Sequence, residues 1–258
     1  MTNKVLYHEL LPHEFVERMN AFPIAYLPLG TLEWHSFHLP YGVDMLLGLE
    51  AFKRVAVQAG GVVLPPLFLG PDGDLEHDGK TYYGMDFISF EEGYPQQLIG
   101  SSYYVPEPFY VQILENILKN LKRTGFAALV GIGHGPSTKT LLKNRERFEA
   151  QFKMKILSLS ELCSDDSGEM PADHAAFNET VMMMGLNPDL VDLSLLPEDK
   201  PPVAVWGQDP CIAATKEEGE RIITLYGEQA SQKLIDLNKT LPKPNLKLEF
   251  HHVRDLRS

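Results

Sequence analysis

The chain has 258 residues, 44% of them hydrophobic and 22% charged, so we expect one large domain with a sizeable core over residues 1–258. A formal net charge of −12 with no basic block argues against a nucleic-acid partner, because nothing would neutralise the phosphates. Cys163 and Cys211 lie far apart in sequence and predict neither a disulfide framework nor a thiolate metal site. Without a signal-peptide pattern or an apolar run of membrane-spanning length, we expect a cytoplasmic protein that binds no membrane.

Helix-like and strand-like patterns alternate along the chain. Helical spacing of apolar residues is found at His8–Phe22, Val43–Ala59, Phe109–Arg123, Thr138–Phe152, His174–Met184 and Lys216–Leu237. Apolar strand patterns are found at Pro23–Leu29, Val62–Leu69, Phe126–Ile132 and Met154–Leu159. The prolines at 65 and 66 predict that the second of these strands runs out into a loop. The alternation is typical of an α/β layer fold with a mainly parallel sheet.

The remaining segments are predicted to be turns and loops. Residues 70–108 are rich in Gly, Asp, Tyr and Pro, and we expect an ordered, functional loop there. A polar turn is predicted at 163–171 and a Pro-rich loop at 189–210, and a short apolar-polar segment follows at 246–253.

Carboxylate and imidazole side chains follow two of the predicted strands. Glu33 and His35 come after the first strand, His134 comes after the third, and Asp44 begins the next helix. The carboxyl ends of parallel strands meet at one edge of a sheet, so these groups are expected to converge. They are the usual ligands of a hydrolytic zinc or manganese site.

Each of these residues alone has an ordinary structural interpretation. Glu33 would be a solvated loop carboxylate, His35 a hydrogen-bonding loop histidine, Asp44 a helix cap and His134 part of a tight glycine-rich turn. Their joint occurrence at two strand ends favours the metal site.

Two further segments are candidates for the same site. His174 and Glu179 are five residues apart, so on a regular helix they would be rotated by roughly 140° from each other. They converge only if the helix begins irregularly between them; otherwise Asp173 or Asn178 simply caps the helix. Asp74 and His77 lie in the long loop and are candidate substrate contacts, although acidic residues are common in turns.

Other chemistries fit the sequence poorly. No GxSxG elbow is present, and neither cysteine has a motif around it. The glycine-rich segment 131–135 lies between a strand and a helix and so invites a nucleotide-binding interpretation. However, Pro136 replaces the third glycine and His134 occupies the phosphate approach, so the match is weak.

Taken together, these stretches resemble the creatininase (creatinine amidohydrolase) family. The family pattern Leu-Pro-x-Gly-x-x-Glu-x-His, with His-Leu-Pro and a downstream Asp, is matched from Leu27 to Asp44. A Gly-His-Gly segment is matched at 133–135, and a His-Ala-Gly-x-x-Glu-Thr segment at 174–180. A Ser-x-Glu-His-like loop is matched loosely at 74–77.

The resemblance implies a three-layer αβα sandwich, often assembled as a hexamer, with two divalent metal ions. Zinc is the first expectation, with manganese or iron as alternatives. Carried over by position, Glu33 and His134 would bind one ion and His35 the other, with Asp44 bridging them. His174 and Glu179 would act on the substrate, and Asp74, His77 and Gly135 would contact it. The implied reaction is hydrolysis of a C–N bond in a small cyclic amide or formamide by metal-activated water.

The sequence departs from the family at several of these positions. Pro136 stands where the family has a Glu two residues after the metal-binding His, and Glu179 is the substitute ligand we expect. No Trp lies between His134 and His174, which argues against creatinine as the substrate. A single-metal enzyme or a non-catalytic small-molecule binding protein is the alternative within the family, and a nucleotide-binding module at 131–135 is the alternative outside it.

Overall fold

The computed structural model describes residues 3–91, 93–163, 173–212 and 214–249. Its helices are α1 (Pro12–Ala21), α2 (Val43–Gln58), α3 (Met85–Ile88), α4 (Glu107–Arg123), α5 (Gly135–Lys143), α6 (Arg145–Phe152), α7 (Leu159–Cys163), α8 (Phe177–Leu186) and α9 (Lys216–Asn238). Its strands are β1 (Ile24–Leu29), β2 (Val62–Val63), β3 (Asp74–His77), β4 (Lys80–Tyr83), β5 (Ala128–Gly133) and β6 (Lys155–Ser158). Within these ranges no helix has the length and apolarity that a membrane span requires.

Four strands form a parallel sheet in the order β2-β1-β5-β6. In this sheet β1 pairs with β5 from Ile24 opposite Ala128 to Leu29 opposite Gly133, so both strands end at the same edge. The two remaining strands, β3 and β4, form a separate antiparallel hairpin. The predicted α/β fold with a mainly parallel sheet is confirmed.

Side chains of β1 alternate between two hydrophobic cores, because successive residues of a strand point to opposite faces. Ile24 and Tyr26 pack on one face together with α2, α7 and α9. Ala25 and Leu27 pack on the other face together with α1, α4, α5 and α6. Helices therefore cover both faces of the sheet, and the architecture is the expected three-layer αβα sandwich.

Several element boundaries differ from the sequence-based prediction. The helix predicted over 138–152 is two helices, α5 and α6, separated at Asn144, whose side chain donates to the Thr140 carbonyl 2.9 Å away. Such local side-chain bonds compete with regular helix. The segment at 62–69 forms a regular strand only at β2 and leaves the sheet at its prolines, as predicted; beyond them Leu67 makes one isolated parallel bridge with Leu29. The expected loop at 70–108 contains the β3–β4 hairpin and α3.

Two predicted segments fall partly or wholly outside the described residues. The polar turn at 163–171 is described only at Cys163, and the segment at 246–253 is described only as far as Glu249.

The central strand β5 should carry a large share of the stability. Leu129 is fully buried between β1 and β6, so Leu129→Ala should lower the free energy of unfolding by about 2–5 kcal/mol. Chemical denaturation measures this loss. Val57→Ala, at an exposed position of α2, is the control and should change stability by less than about 0.5 kcal/mol. An equal effect of both substitutions would contradict the assignment of Leu129 to the core.

Candidate metal centre

The candidate site lies at the edge of the sheet where β1 and β5 end. Here the backbone N–H of His134 donates to the carbonyl of Leu29, at 3.0 Å, which holds the turn after β5 against the end of β1. Gly133 makes this approach possible: its φ is 140°, and a Cβ at this position would lie 1.7 Å from the same carbonyl oxygen. The close contact requires glycine, and it sets His134 beside the segment that follows β1.

A first cluster of possible ligands consists of Glu33, Asp72 and His134. The Nε2 atom of His134 lies 3.5 Å from Oε2 of Glu33 and 3.3 Å from Oδ2 of Asp72. All three side chains are nearly inaccessible to solvent. Two carboxylates and one imidazole at this spacing match the donor set of a divalent transition metal.

A second cluster consists of His35, Asp44 and Glu179. The Nε2 atom of His35 lies 3.6 Å from Oδ2 of Asp44 and 3.5 Å from Oε2 of Glu179. These residues come from the segment after β1, the first turn of α2 and the first turn of α8. Asp44 therefore groups with His35 and Glu179, and its role as a bridge between two ions stays a prediction.

His174 joins the two clusters. Its ring stacks on that of His35, with centroids 4.2 Å apart, and its Nδ1 lies 3.9 Å from Oε2 of Glu33. These three residues form a third group of closely spaced donor atoms. His174 thus faces the space between the first cluster and the second.

Each imidazole of the site uses one nitrogen for a protein contact. Nδ1–H of His35 donates to the Glu33 carbonyl at 3.0 Å, and Nε2–H of His174 donates to the Trp34 carbonyl at 2.8 Å. Nδ1 of His134 contacts the Ser137 hydroxyl at 3.0 Å. Such partners fix the ring and leave the other nitrogen free for a metal or a substrate.

The buried polar atoms of the site fit bound metal ions. Nε2 of His35, Nε2 of His134 and Oδ2 of Asp44 are buried and have no hydrogen-bond partner among the described residues. Their nearest polar neighbours are other members of the two clusters, at 3.3–3.6 Å, which is longer than a good hydrogen bond and leaves room for an ion between them. Coordination to divalent cations would satisfy all three.

Backbone also packs closely against the first cluster. Gly84 has a φ of 50°, and a Cβ there would lie 2.4 Å from Oδ2 of Asp72 and 2.9 Å from Oε1 of Glu33. The turn after β4 therefore covers these carboxylates, and a larger residue at 84 would displace them.

Burial and neighbouring charges shift the pKa values of these groups. Burial opposes the charged form of His134, but the carboxylates of Asp72 and Glu33 beside it prevail and raise its pKa to about 10. Burial likewise opposes ionisation of Glu33, yet His134 and the other imidazoles lower its pKa to about 2. For Glu179, burial dominates over the attraction of His35 and raises its pKa to about 8.

Metal loading should therefore release protons. At pH 7 the metal-free protein holds protons on His134 and Glu179, whereas ligands bind as neutral imidazole and carboxylate. Binding two ions at pH 7 should release at least about two protons, and affinity should rise from pH 6 to pH 8 as the cost of removing them falls. Calorimetry in buffers of different ionisation enthalpy measures the release. Loading without proton release would contradict these protonation states.

The approach of His174 to Glu179 depends on an irregular start of α8. Ala175 has a φ of 49° and Ala176 is extended, so the helix begins only at Phe177, later than predicted. This turn directs both side chains to His35. The capping interpretation also holds for Asp173, whose carboxylate accepts from the N–H groups of residues 178 and 179.

The other predicted site residues lie at the edge of these clusters or away from them. Asp74 and His77 are on β3 of the hairpin, where Asp74 is exposed and His77 contacts Asp78 at 3.4 Å; neither belongs to a described cluster. Gly135 is the first residue of α5 and lines a cavity together with Asp44 and Glu179. The substrate-binding roles of all three stay predictions.

Asp72 is the residue of the site that the sequence did not reveal. It lies two residues before the segment that loosely matches the family loop, within an irregular stretch without periodicity. The only available signal was its position in a long Gly- and Asp-rich connection.

Comparisons with known proteins agree with this architecture. The family model described as "Creatininase: Creatinine amidohydrolase" matches residues 8–234. A creatinine amidohydrolase of Pseudomonas putida is 27% identical to this chain over an alignment 265 positions long, which covers 86% of this chain and 93% of the relative.

Solved creatininases share the fold. A mutant form described as Zn-Zn type has a TM-score of 0.68 at 23% identity, and a form described as "Creatininase Mn" has a TM-score of 0.67 at 24% identity. In both cases 91% of this chain and 99% of the other chain are covered. A putative creatinine amidohydrolase from Bacteroides fragilis NCTC 9343 has a TM-score of 0.64 at 21% identity, covering 93% of this chain and 98% of that one.

Proposed function

Because the chain belongs to the creatininase family of metal-dependent amidohydrolases, we propose that it hydrolyses a C–N bond of a small cyclic amide or formamide with two divalent metal ions. Membership makes the chain a hydrolase of C–N bonds. The number of ions and the substrate are what the proposal adds.

The observation that carries the proposal is the pair of ligand clusters with unpaired buried atoms. Glu33, Asp72 and His134 would hold one ion, and His35, Asp44 and Glu179 the other. When bound, two such ions lower the pKa of a shared water and polarise a carbonyl oxygen. The chain offers three donors to each ion, which leaves coordination positions for water and substrate.

Glu179 takes the place of the missing family ligand in this proposal. Pro136 carries no donor, whereas Oε2 of Glu179 lies 3.5 Å from Nε2 of His35 and also accepts from the Ala175 N–H at 2.6 Å. That backbone bond orients the carboxylate toward the second cluster. A two-metal site is thereby compatible with proline at 136.

His174 is the proposed proton-transfer residue. Burial, assisted by the neighbouring His35, lowers the pKa of His174, so its ring is neutral at pH 7. Its Nε2–H is committed to the Trp34 carbonyl, and Nδ1 is therefore the atom that can accept a proton. From its position between the clusters, Nδ1 can pass that proton to the departing nitrogen.

Creatinine is not the substrate we propose. The two tryptophans of this chain are Trp34 and Trp206, and neither lies between His134 and His174, where the family segment over creatinine would be. We propose zinc as the ion, with manganese or iron as alternatives, because His and carboxylate ligands suit all three. We also propose a cytoplasmic homo-oligomer, a hexamer by analogy with the family, which measurement of the native mass in solution tests.

The test of the proposed function is metal content per chain on protein purified without chelator or affinity tag. About two equivalents, together with turnover of cyclic amides or formamides, would support the binuclear hydrolase. About one equivalent would support the single-metal alternative. No metal after reconstitution with zinc and manganese would overturn the proposed two-metal reaction and support the alternative of a small-molecule binding protein.

A further inference from the structure

A cavity of about 310 Å³ begins at the metal centre and extends away from it between α2, α7, α8 and α9. Asp44 and Glu179 lie at its metal end. Farther along α2 it is lined by Arg54, Cys163 and Tyr226, of which Cys163 and Tyr226 are in contact and Arg54 is exposed to solvent. The volume is within the range of small-molecule binding sites.

The cavity runs along one face of helix α2, so its length can be estimated from the residues of α2 that line it. Asp44, Leu47, Ala51 and Arg54 all line it, and their spacing of three or four residues places them on one face of the helix. Asp44 and Arg54 are ten residues apart, which at the rise of an α-helix corresponds to about 15 Å. The cavity is therefore elongated, with the metal centre at one end only.

Apolar side chains form the middle of the cavity. Leu47 and Ala51 of α2 face Met182 and Leu186 of α8, and Ile223 of α9 lies nearby. A polar ligand segment here would lose its hydrogen bonds to water without replacement. The part of a ligand that occupies this region must accordingly be apolar.

Arg54 is the one cationic side chain among the described residues that line the cavity. Within the described part of the chain it has no hydrogen bond or ion pair. Its neighbour Lys53, by contrast, is paired with Glu50 at 2.8 Å. The guanidinium at the far end is available for an anion, and arginine binds carboxylates in a two-pronged geometry.

We propose that this cavity binds the non-reacting part of the substrate, which is an apolar chain or ring ending in a carboxylate held by Arg54. The amide carbonyl then lies at the metal centre. There, water forms a C–O bond to the carbonyl carbon, the C–N bond breaks, and the nitrogen leaves with a proton from the water. This inference rests on the proposed function, and it assigns the substrate to the class of anionic amides with an apolar spacer.

The test uses ligands that the enzyme cannot hydrolyse. The methyl ketone 6-oxoheptanoate carries a carbonyl at one end and a carboxylate at the other, and 2-heptanone is its uncharged counterpart. Their binding to the metal-loaded protein is measured by calorimetry for wild type, Arg54→Ala, Lys53→Ala, Ala51→Phe and Val57→Phe. Lys53→Ala removes a charge from α2 outside the cavity, and Val57→Phe adds the same bulk at an exposed position of that helix.

We expect wild type to bind 6-oxoheptanoate at least about tenfold more tightly than 2-heptanone, the low end of what a charge-assisted hydrogen bond contributes. The preference should disappear in Arg54→Ala and persist in Lys53→Ala. Ala51→Phe should weaken the binding of both ligands, whereas Val57→Phe should leave the binding of both unchanged. Absence of binding, or a preference that survives Arg54→Ala, would overturn the inference even if Ala51→Phe fails to fold.

The outcome is separable from that of the proposed function. Turnover of short neutral formamides with no Arg54-dependent binding would retain the hydrolase and reject the anionic substrate class. Arg54-dependent binding by a protein that holds two ions but cleaves no amide would support the ligand class and reject the hydrolase.

Discussion

Replacing His134 with alanine should remove the ion of the first cluster and lower turnover by more than about 100-fold. Loss of a residue that merely supports a metal ligand already costs about 10–100-fold, and His134 would itself be a ligand in the first cluster. Without it, two buried carboxylates would face each other with no cation between them.

Elemental analysis of metal per chain and initial rates on an amide substrate measure this effect. The backbone contact from residue 134 to Leu29 persists in the alanine variant, so the turn after β5 should keep its conformation. His13→Ala is the matched control, because His13 is exposed and belongs to no described cluster. If His134→Ala retained two equivalents of metal, the assignment of His134 as a metal ligand would be wrong.

The near-isosteric substitutions Glu179→Gln and Asp72→Asn should each empty a different cluster. Glu179→Gln removes the carboxylate that would bind an ion beside His35, while its side-chain oxygen can still accept from the Ala175 N–H and keep the start of α8. Asp72→Asn removes the charge beside His134. We expect each variant to retain about one equivalent of metal and to lose activity by at least about 100-fold.

Asp74→Asn is the control for Asp72→Asn, because it makes the same change two residues away at an exposed position of β3. Its metal content should equal that of wild type. Full occupancy of both ions in Asp72→Asn would show that Asp72 is not a ligand. Full occupancy with lost turnover in Glu179→Gln would instead make Glu179 a catalytic group.

The sequence predicted that residues following two strands would meet, because the carboxyl ends of parallel strands lie at one edge of the sheet. Glu33 and His134 are far apart in the chain, but both directly follow strands whose apolar pattern is continuous. Once β1 and β5 are neighbours in a parallel sheet, their carboxyl ends bring these residues together. The proximity of Glu33 and His134 therefore follows from the apolar strand patterns together with the order of the strands in the sheet.

Asp72 and the pair His174–Glu179 required information that local pattern does not contain. Asp72 reaches the site because the connection after β2 folds back, with the N–H of Gly84 donating to the Gly73 carbonyl at 3.0 Å. His174 and Glu179 converge because Ala175 adopts a positive φ, which is uncommon for alanine and has no sequence signature. In both cases tertiary contacts select the backbone conformation.

The hairpin β3–β4 shows the same limitation in secondary structure. Exposed and half-buried residues alternate in β3, and in β4 two exposed residues precede the buried Tyr82, so neither strand has a continuous apolar run and the stretch resembled a loop. Asp78-Gly79, with positive φ at both residues, is the local signal of the two-residue turn between them, whereas the strands themselves are ordered by their pairing.

The proposed ligands come from separate parts of the chain, from Glu33 through Asp72 and His134 to Glu179. Two bound ions would consequently link distant segments of the chain, and they would do so only in the folded state, where the ligands are brought together. A ligand of the folded state stabilises that state by mass action. The supply of metal would therefore determine how long the protein survives proteolysis, in addition to its catalytic rate.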